Sequence, residues 1–144
     1  MAEILAFDFG TKRIGVALGN TEIGTAHPLA TVDSQKKSDC FAAIDLLIKE
    51  WQPGLLVVGL PLSMDGSEHE LTRLSKLFAR RLAARYGLPI EFVDERLSSF
   101  AAEEALKEAG VSGRAQKAHV DQVAAQCLLQ AYLEEKNRAT TPDA

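Results

Sequence analysis

At 144 residues, 47% of them apolar and 25% charged, the chain has the size and composition of one globular domain that buries a core without staples. The formal charge of −4 argues against a general nucleic-acid binder, so any such contact requires a local basic face. No apolar run reaches bilayer length and "MAEILAFD" lacks the charged start of a signal peptide. The separated Cys40 and Cys127 match no metal or redox spacing, so a cytoplasmic, reducing setting and no membrane partner are expected.

Residues 3–9 and 13–18 are rich in Ile, Val, Leu and Phe, and the Gly-containing segment between them makes them a hairpin. A third strand over 24–32 contains Pro28, which costs a ladder hydrogen bond and places the strand at a sheet edge. The period then changes. Residues 38–51 put Phe41, Ile44, Leu47 and Ile48 on one helical face, and Pro53-Gly54 end it. The wholly apolar "LLVVGL" (55–60) is a strand covered on both faces. "SEHE" (67–70) has the spacing of a capping box, with Ser67 as N-cap and Glu70 reaching back; the helix it opens closes at Gly87. A strand over 89–95, a helix over 99–110 and a longer helix over about 114–136 follow. The polar tail 137–144 is expected to fray, leaving one domain over 1–136.

This order predicts an α/β fold, a mixed five-stranded sheet of order 3-2-1-4-5 flanked by helices, with right-handed crossovers setting the fourth and fifth strands parallel to the first. Asp8 and Asp94-Glu95 then fall at the same carboxyl edge of the sheet, where ligand sites form. On the last helix, Val120, Ala124, Cys127, Leu128 and Ala131 form the expected buried stripe. Gln122, Gln126 and Gln130 lie opposite, with Asp121 on the margin of the buried face. Lys117, one turn earlier, is its simplest partner. Singly, Asp8 is a turn former and Asp94-Glu95-Arg96 a charge run; convergence changes the reading, because crowded carboxylates need a cation. Oxygen-only donors suit Mg²⁺ or Mn²⁺. The basic stripe Arg73, Lys76 and Arg80 is a candidate phosphate track, while His27, His69 and His119 share no spacing.

"LAFDFGTKRIGVALG", "LLVVGLPLSMDGSE", "VDERLSS" and "KAHVDQVAA" resemble, in order and at natural spacing, the signature segments of the YqgF family, also called RuvX. These small bacterial proteins are described as Holliday junction resolvases and as the nuclease that matures the 5′ end of pre-16S ribosomal RNA. The resemblance covers nearly the whole chain and implies a ribonuclease H-like fold and hydrolysis of phosphodiesters dependent on Mg²⁺ or Mn²⁺. Asp8, Glu95 (with Asp94 as rival) and Asp121 are carried over as the catalytic, metal-holding acids. Lys12, Arg13, Arg96 and Lys117 then grip flanking phosphates, beside Thr11, while Gly10 and Gly59 let a nucleic-acid backbone approach. The fourth strand lacks the acid that many ribonuclease H-like relatives carry there; the nearest, Asp65, lies in the turn before Ser67.

Implied partners are nucleic acid, with pre-rRNA ahead of a DNA junction, and ribosomal precursor particles. Two other classes compete. "DFGT" also resembles the phosphate-binding segment of the actin and Hsp70 superfamily, which predicts ATP binding by the isolated chain. A non-catalytic binding module predicts no metal affinity. Oligomeric state stays open, with Leu129 and Leu133 as residues for an interface.

Overall fold

β1 (Glu3–Phe9) and β2 (Arg13–Asn20) form the expected hairpin, with Asp8 opposite Gly15. The computed structural model describes residues 3–97 and 113–140, with side chains over 3–96 and 120–136. β3 (Thr25–Asp33), α1 (Lys37–Trp51), β4 (Leu55–Leu60), α2 (Glu70–Tyr86), β5 (Ile90–Asp94), a 3-10 turn (Glu95–Leu97) and α3 (Gly113–Thr140) follow. The sheet order is β3-β2-β1-β4-β5, antiparallel across the first three strands and parallel from β1 to β4 to β5, as the sequence predicts. β3 is the edge strand required by Pro28. A bulge there skips Leu29, because Ala17 pairs with Pro28 while Val16 pairs with Ala30.

The sheet divides the core in two. Leu5 and Phe7 of β1, Ile14 and Val16 of β2, and Leu56 and Val58 of β4 pack under α1 and α2 with Phe41, Ile44, Phe78 and Leu82. Ile4, Ala6, Ala17 and Val57 face the other way, with Val93, against Ala125, Leu128, Leu129, Tyr132 and Leu133 of α3. Strand side chains alternate between faces. Asp8 therefore continues the Ile4–Ala6 row toward α3, and Arg13, Gly15 and Gly19 continue the row of Ala17.

Three local expectations are corrected. The N-cap of α2 is His69, not Ser67. Asp65 Oδ1 accepts from the Ser67 hydroxyl (2.6 Å) and amide (2.9 Å), holding Ser67 in the preceding turn, while Thr72 Oγ1 accepts from the His69 amide (3.1 Å). Glu70 pairs forward with Arg73 instead of reaching back.

The second correction concerns the buried stripe of α3, which is Val123, Ala125, Leu128, Leu129, Tyr132 and Leu133. Its glutamines also face protein. Gln130 accepts from the Ala26 amide (3.1 Å) and donates to Gly24 O (3.2 Å), Gln126 donates to Ala26 O (3.1 Å), and Gln122 donates to Thr31 Oγ1 (3.1 Å). Edge strand β3 has outward backbone N–H and C=O groups, and a glutamine amide can donate to one and accept from the other. Third, Leu129 and Leu133 are core, seated where Gly19 has no side chain.

α3 runs on to Thr140, into the segment read as a tail. The helix expected over 99–110 lies outside the described residues.

Candidate active site at the carboxyl edge of the sheet

Asp8, one residue from the end of β1, and Glu95, just past the end of β5, point to the α3 side of the sheet. Val93 lies on the α3 face and Asp94 on the opposite one, while Glu95, first residue of the 3-10 turn, lies beside Gly59 where Leu128 of α3 also packs. Gly59 of β4 makes room between them: a Cβ there would stand 3.0 Å from Glu95 Cγ and 2.6 Å from Leu128 Cδ1. On the other side Gly15, the register partner of Asp8, admits the backbone of α3. A Cβ at Gly15 would lie 1.8 Å from Asp121 O. Two glycines therefore bring α3 and the β5 terminus in against Asp8.

The electrostatics match that crowding. Loss of solvent around Asp8 raises its carboxyl, opposed by a hydrogen bond from Glu95 and reinforced by the charge of Asp121. Glu95 is raised further, first by burial, then by the charge of Asp8, by the hydrogen bond to Asp8 and by the charge of Asp94. A hydrogen bond that favours the charged form of one partner and the neutral form of the other assigns the roles: Glu95 keeps the proton and donates it to Asp8. Without a cation, the two carboxyls share one proton.

Asp121 is held differently. Arg13 Nε donates to its Oδ2 at 2.6 Å, with the Arg13 side chain 38% exposed and that of Asp121 20%. Arg13 is thus the partner of Asp121. The side chain of Lys117, the partner suggested by spacing, lies outside the described residues. Asp94 belongs to another set. Arg96 donates to both of its oxygens (Nε 3.0 Å, Nη2 2.6 Å) and to the carbonyl of Met64 (3.3 Å), which holds Asp94 below the usual carboxylate range. Asp65 sits in its own turn with Ser67 and is likewise lowered.

Thr11 and Lys12 stand exposed in the β1–β2 turn. Gly10 is needed by the turn itself, where a Cβ would lie 2.5 Å from Arg13 O. Ser34 braces the turn, donating its amide to Lys12 O (3.0 Å) and its hydroxyl to Gly10 O (2.7 Å). The structure thus gathers Asp8, Glu95, Asp121 and Arg13, with Thr11 and Lys12 above them, and turns Arg96 toward Asp94. Sequence reasoning missed Gly15, Ser34 and the Arg13–Asp121 pair. For Gly15 a signal existed, because a strand-interior glycine marks close backbone approach. Among the described residues, no group of three His, Cys, Asp or Glu side chains is already arranged to hold a metal ion. The donor chemistry nevertheless fits a hard cation: two adjoining carboxyls on one proton, and a third carboxylate in range of Asp8.

A family model described as RuvX, Holliday junction resolvase, matches residues 2–135. A relative from Nitrosospira multiformis is 55% identical over 136 residues, 94% of this chain and 90% of the relative. One from Chromobacterium violaceum is 56% identical over 136 residues, 94% and 99% of the two chains. Both are provisionally named pre-16S rRNA nuclease. Among solved structures, Thermus thermophilus RuvC in complex with Holliday junction substrate superposes with a TM-score of 0.58 at 13% identity, covering 97% of this chain and 98% of that one. Fowlpox virus resolvase with its substrate junction DNA gives 0.55 at 11%, covering 93% and 98%. At such identities the likeness is one of fold, the ribonuclease H-like sheet of the RuvC resolvases. The match over nearly the full length and the identity to its curated relatives place the chain in the RuvX (YqgF) family.

Proposed function

We propose that this chain is a cytoplasmic nuclease that hydrolyses phosphodiesters of nucleic acid and matures the 5′ end of pre-16S rRNA, acting on ribosomal precursor particles. The observation that carries the chemistry is the gathering of Asp8, Glu95 and Asp121 at the carboxyl edge of the sheet, around Gly15 and Gly59, where burial and mutual charge raise the Asp8 and Glu95 carboxyls. The names of the relatives carry the substrate.

Asp8, Glu95 and Asp121 would hold Mg²⁺ or Mn²⁺, which supplies positive charge that lowers the pKa of a water and neutralises the phosphoryl oxygens. The residues do the rest. With a cation bound, Asp8 and Glu95 would both be anionic, and Asp121 would turn from Arg13 to join them. Arg13, then unpaired at the same edge, is a phosphate donor in the place where charge develops. Lys12 and Thr11, on the braced turn, reach a flanking phosphate.

The test is incubation of 5′-extended 16S precursor RNA with the wild type and Asp8→Asn, with Mn²⁺ or with EDTA. The expected result is cleavage only by the wild type with metal. Cleavage in EDTA, or by Asp8→Asn at the wild-type rate, refutes the site. The family description favours a second reading, action on a DNA four-way junction. A matched junction substrate decides between them by the faster rate.

A further inference from the structure

The basic residues proposed from sequence as a phosphate track are partly neutralised, since Arg73 pairs with Glu70 and Lys76 Nζ lies 2.6 Å from Glu68 Oε2. A different basic surface lies between α1 and α2. Two adjoining cavities of about 370 and 480 Å³ open there, lined by Lys37, Ser38, Phe41, Arg81, Ala84 and Arg85. Among the described residues no carboxylate lines either one, in a chain of net charge −4. Asp39, in the first turn of α1, lines neither.

The cations play different parts. Arg85 is pinned: its Nε and Nη2 meet Asp45 Oδ1 and Oδ2 at 2.9 and 2.6 Å, and its guanidinium carbon lies 5.2 Å from the centre of the Phe41 ring. Asp45 cancels its charge and the Tyr86 ring centre lies 5.9 Å from the same carbon, yet the side chain stays 47% exposed, which leaves guanidinium surface for an unstacked base. Lys37 and Arg81 are exposed and supply net positive charge, Lys37 to both cavities and Arg81 to the first. α1 begins at Lys37 with no side chain capping its first amides, which adds the positive end of a helix.

The groove lies on the sheet face opposite Asp8 and Glu95, and the chain links it to their edge. Three residues before Lys37, Ser34 holds the Gly10–Lys12 turn beside Asp8. Resting on the nuclease reading for its substrate, we infer that the α1–α2 groove binds a single-stranded segment of the nucleic acid flanking the scissile phosphate. Lys37 and Arg81 take its phosphates and Arg85 stacks a base. A duplex hides its base faces, so the plane of Arg85 favours a single strand.

The test is titration of a fluorescein-labelled single-stranded RNA of about 20 nucleotides into metal-free protein over a series of KCl concentrations. Lys37→Ala/Arg81→Ala removes two exposed cations and is expected to fold as the wild type does, checked by an unchanged melting temperature. Its log K against log [KCl] slope is expected to be shallower by about 1.4, the value for two contacts on a single strand. Arg73→Ala/Lys76→Ala is expected to leave the slope as it is. An unchanged slope in the first variant, or equal losses in both, overturns the groove. Displacement of the RNA by inorganic polyphosphate or phosphatidylglycerol vesicles at equal phosphate concentration overturns the assignment to nucleic acid. The measurement needs no catalysis. A shallower slope with a wild type that cleaves nothing fails the nuclease reading alone, and cleavage with an unchanged slope fails the groove alone.

Discussion

Asp8 and Glu95 hold a proton that ordinary carboxylates would have released, and this makes a prediction about stability. Both are raised in the folded protein above the unfolded carboxylate value near about 4. The native state then binds more protons than the unfolded chain, so stability falls as pH rises. Their favourable contribution is complete below about pH 4 and is lost as pH climbs through the folded values. The lowered carboxyls, Asp45, Asp65 and Asp94, act in the opposite sense but only at more acid pH, where they lose their partners. In EDTA the wild type is therefore expected to melt at a higher temperature near about pH 5.5 than near about pH 8.5. Asp8→Asn removes one titrating carboxyl and its repulsion of Glu95, so its difference between the two conditions is expected to be smaller. Calorimetry at the two pH values checks this, and an equal difference in the variant rejects the shared proton.

At the scale of elements, α3 is defined by what it covers. Its leucines fill the space left by Gly19 and Gly59, and its glutamines complete the outer edge of β3. An edge strand with unpaired amides invites pairing with another chain, and covering it is one remedy. Gln126→Ala/Gln130→Ala removes three hydrogen bonds, two to Ala26 of β3 and one to Gly24 just before it. At about 0.5–1.5 kcal/mol each the loss is roughly 1.5–4.5 kcal/mol, reduced somewhat by the helix propensity of alanine. Hydrogen exchange at the Ala26 amide is expected to accelerate well beyond any change at Ala17 in the core. Equal acceleration at both positions would mean global destabilisation and no specific edge role.

For the whole molecule, the cation reading predicts ligand-linked stability. With a dissociation constant near ~1 mM, ~10 mM Mg²⁺ stabilises the native state by roughly 1.4 kcal/mol. For a domain of this size that is about 3–6 °C in melting temperature. Asp8→Asn and Glu95→Gln are expected to lose most of the shift. Asp65→Asn is expected to keep it, because Asp65 is engaged with Ser67 in a separate turn. A full shift in Asp8→Asn, measured by calorimetry, places the cation elsewhere.

The hairpin, the edge position of Pro28, the helical faces and the strand order were legible in the sequence, because each follows from periodicity or turn chemistry within a dozen residues. The convergence of Asp8 with Asp94-Glu95 at one sheet edge was legible too, since right-handed crossovers set the strands parallel. The choice between Asp94 and Glu95 stayed open in the sequence, and the structure separates them, with Arg96 holding Asp94 and Glu95 beside Gly59. What tertiary structure decided is who partners whom. Asp121 was assigned to Lys117 by helical spacing, yet Arg13, 108 residues away in the chain, holds it, because Gly15 lets α3 settle directly onto β2. Ser67 has the spacing of an N-cap but is captured by Asp65. Gln122, Gln126 and Gln130 look solvent-facing by periodicity until the unsatisfied edge of β3 is brought beside them. Local free energies select the elements. The choice among competing polar partners depends on distances that exist only once the sheet and helices have packed.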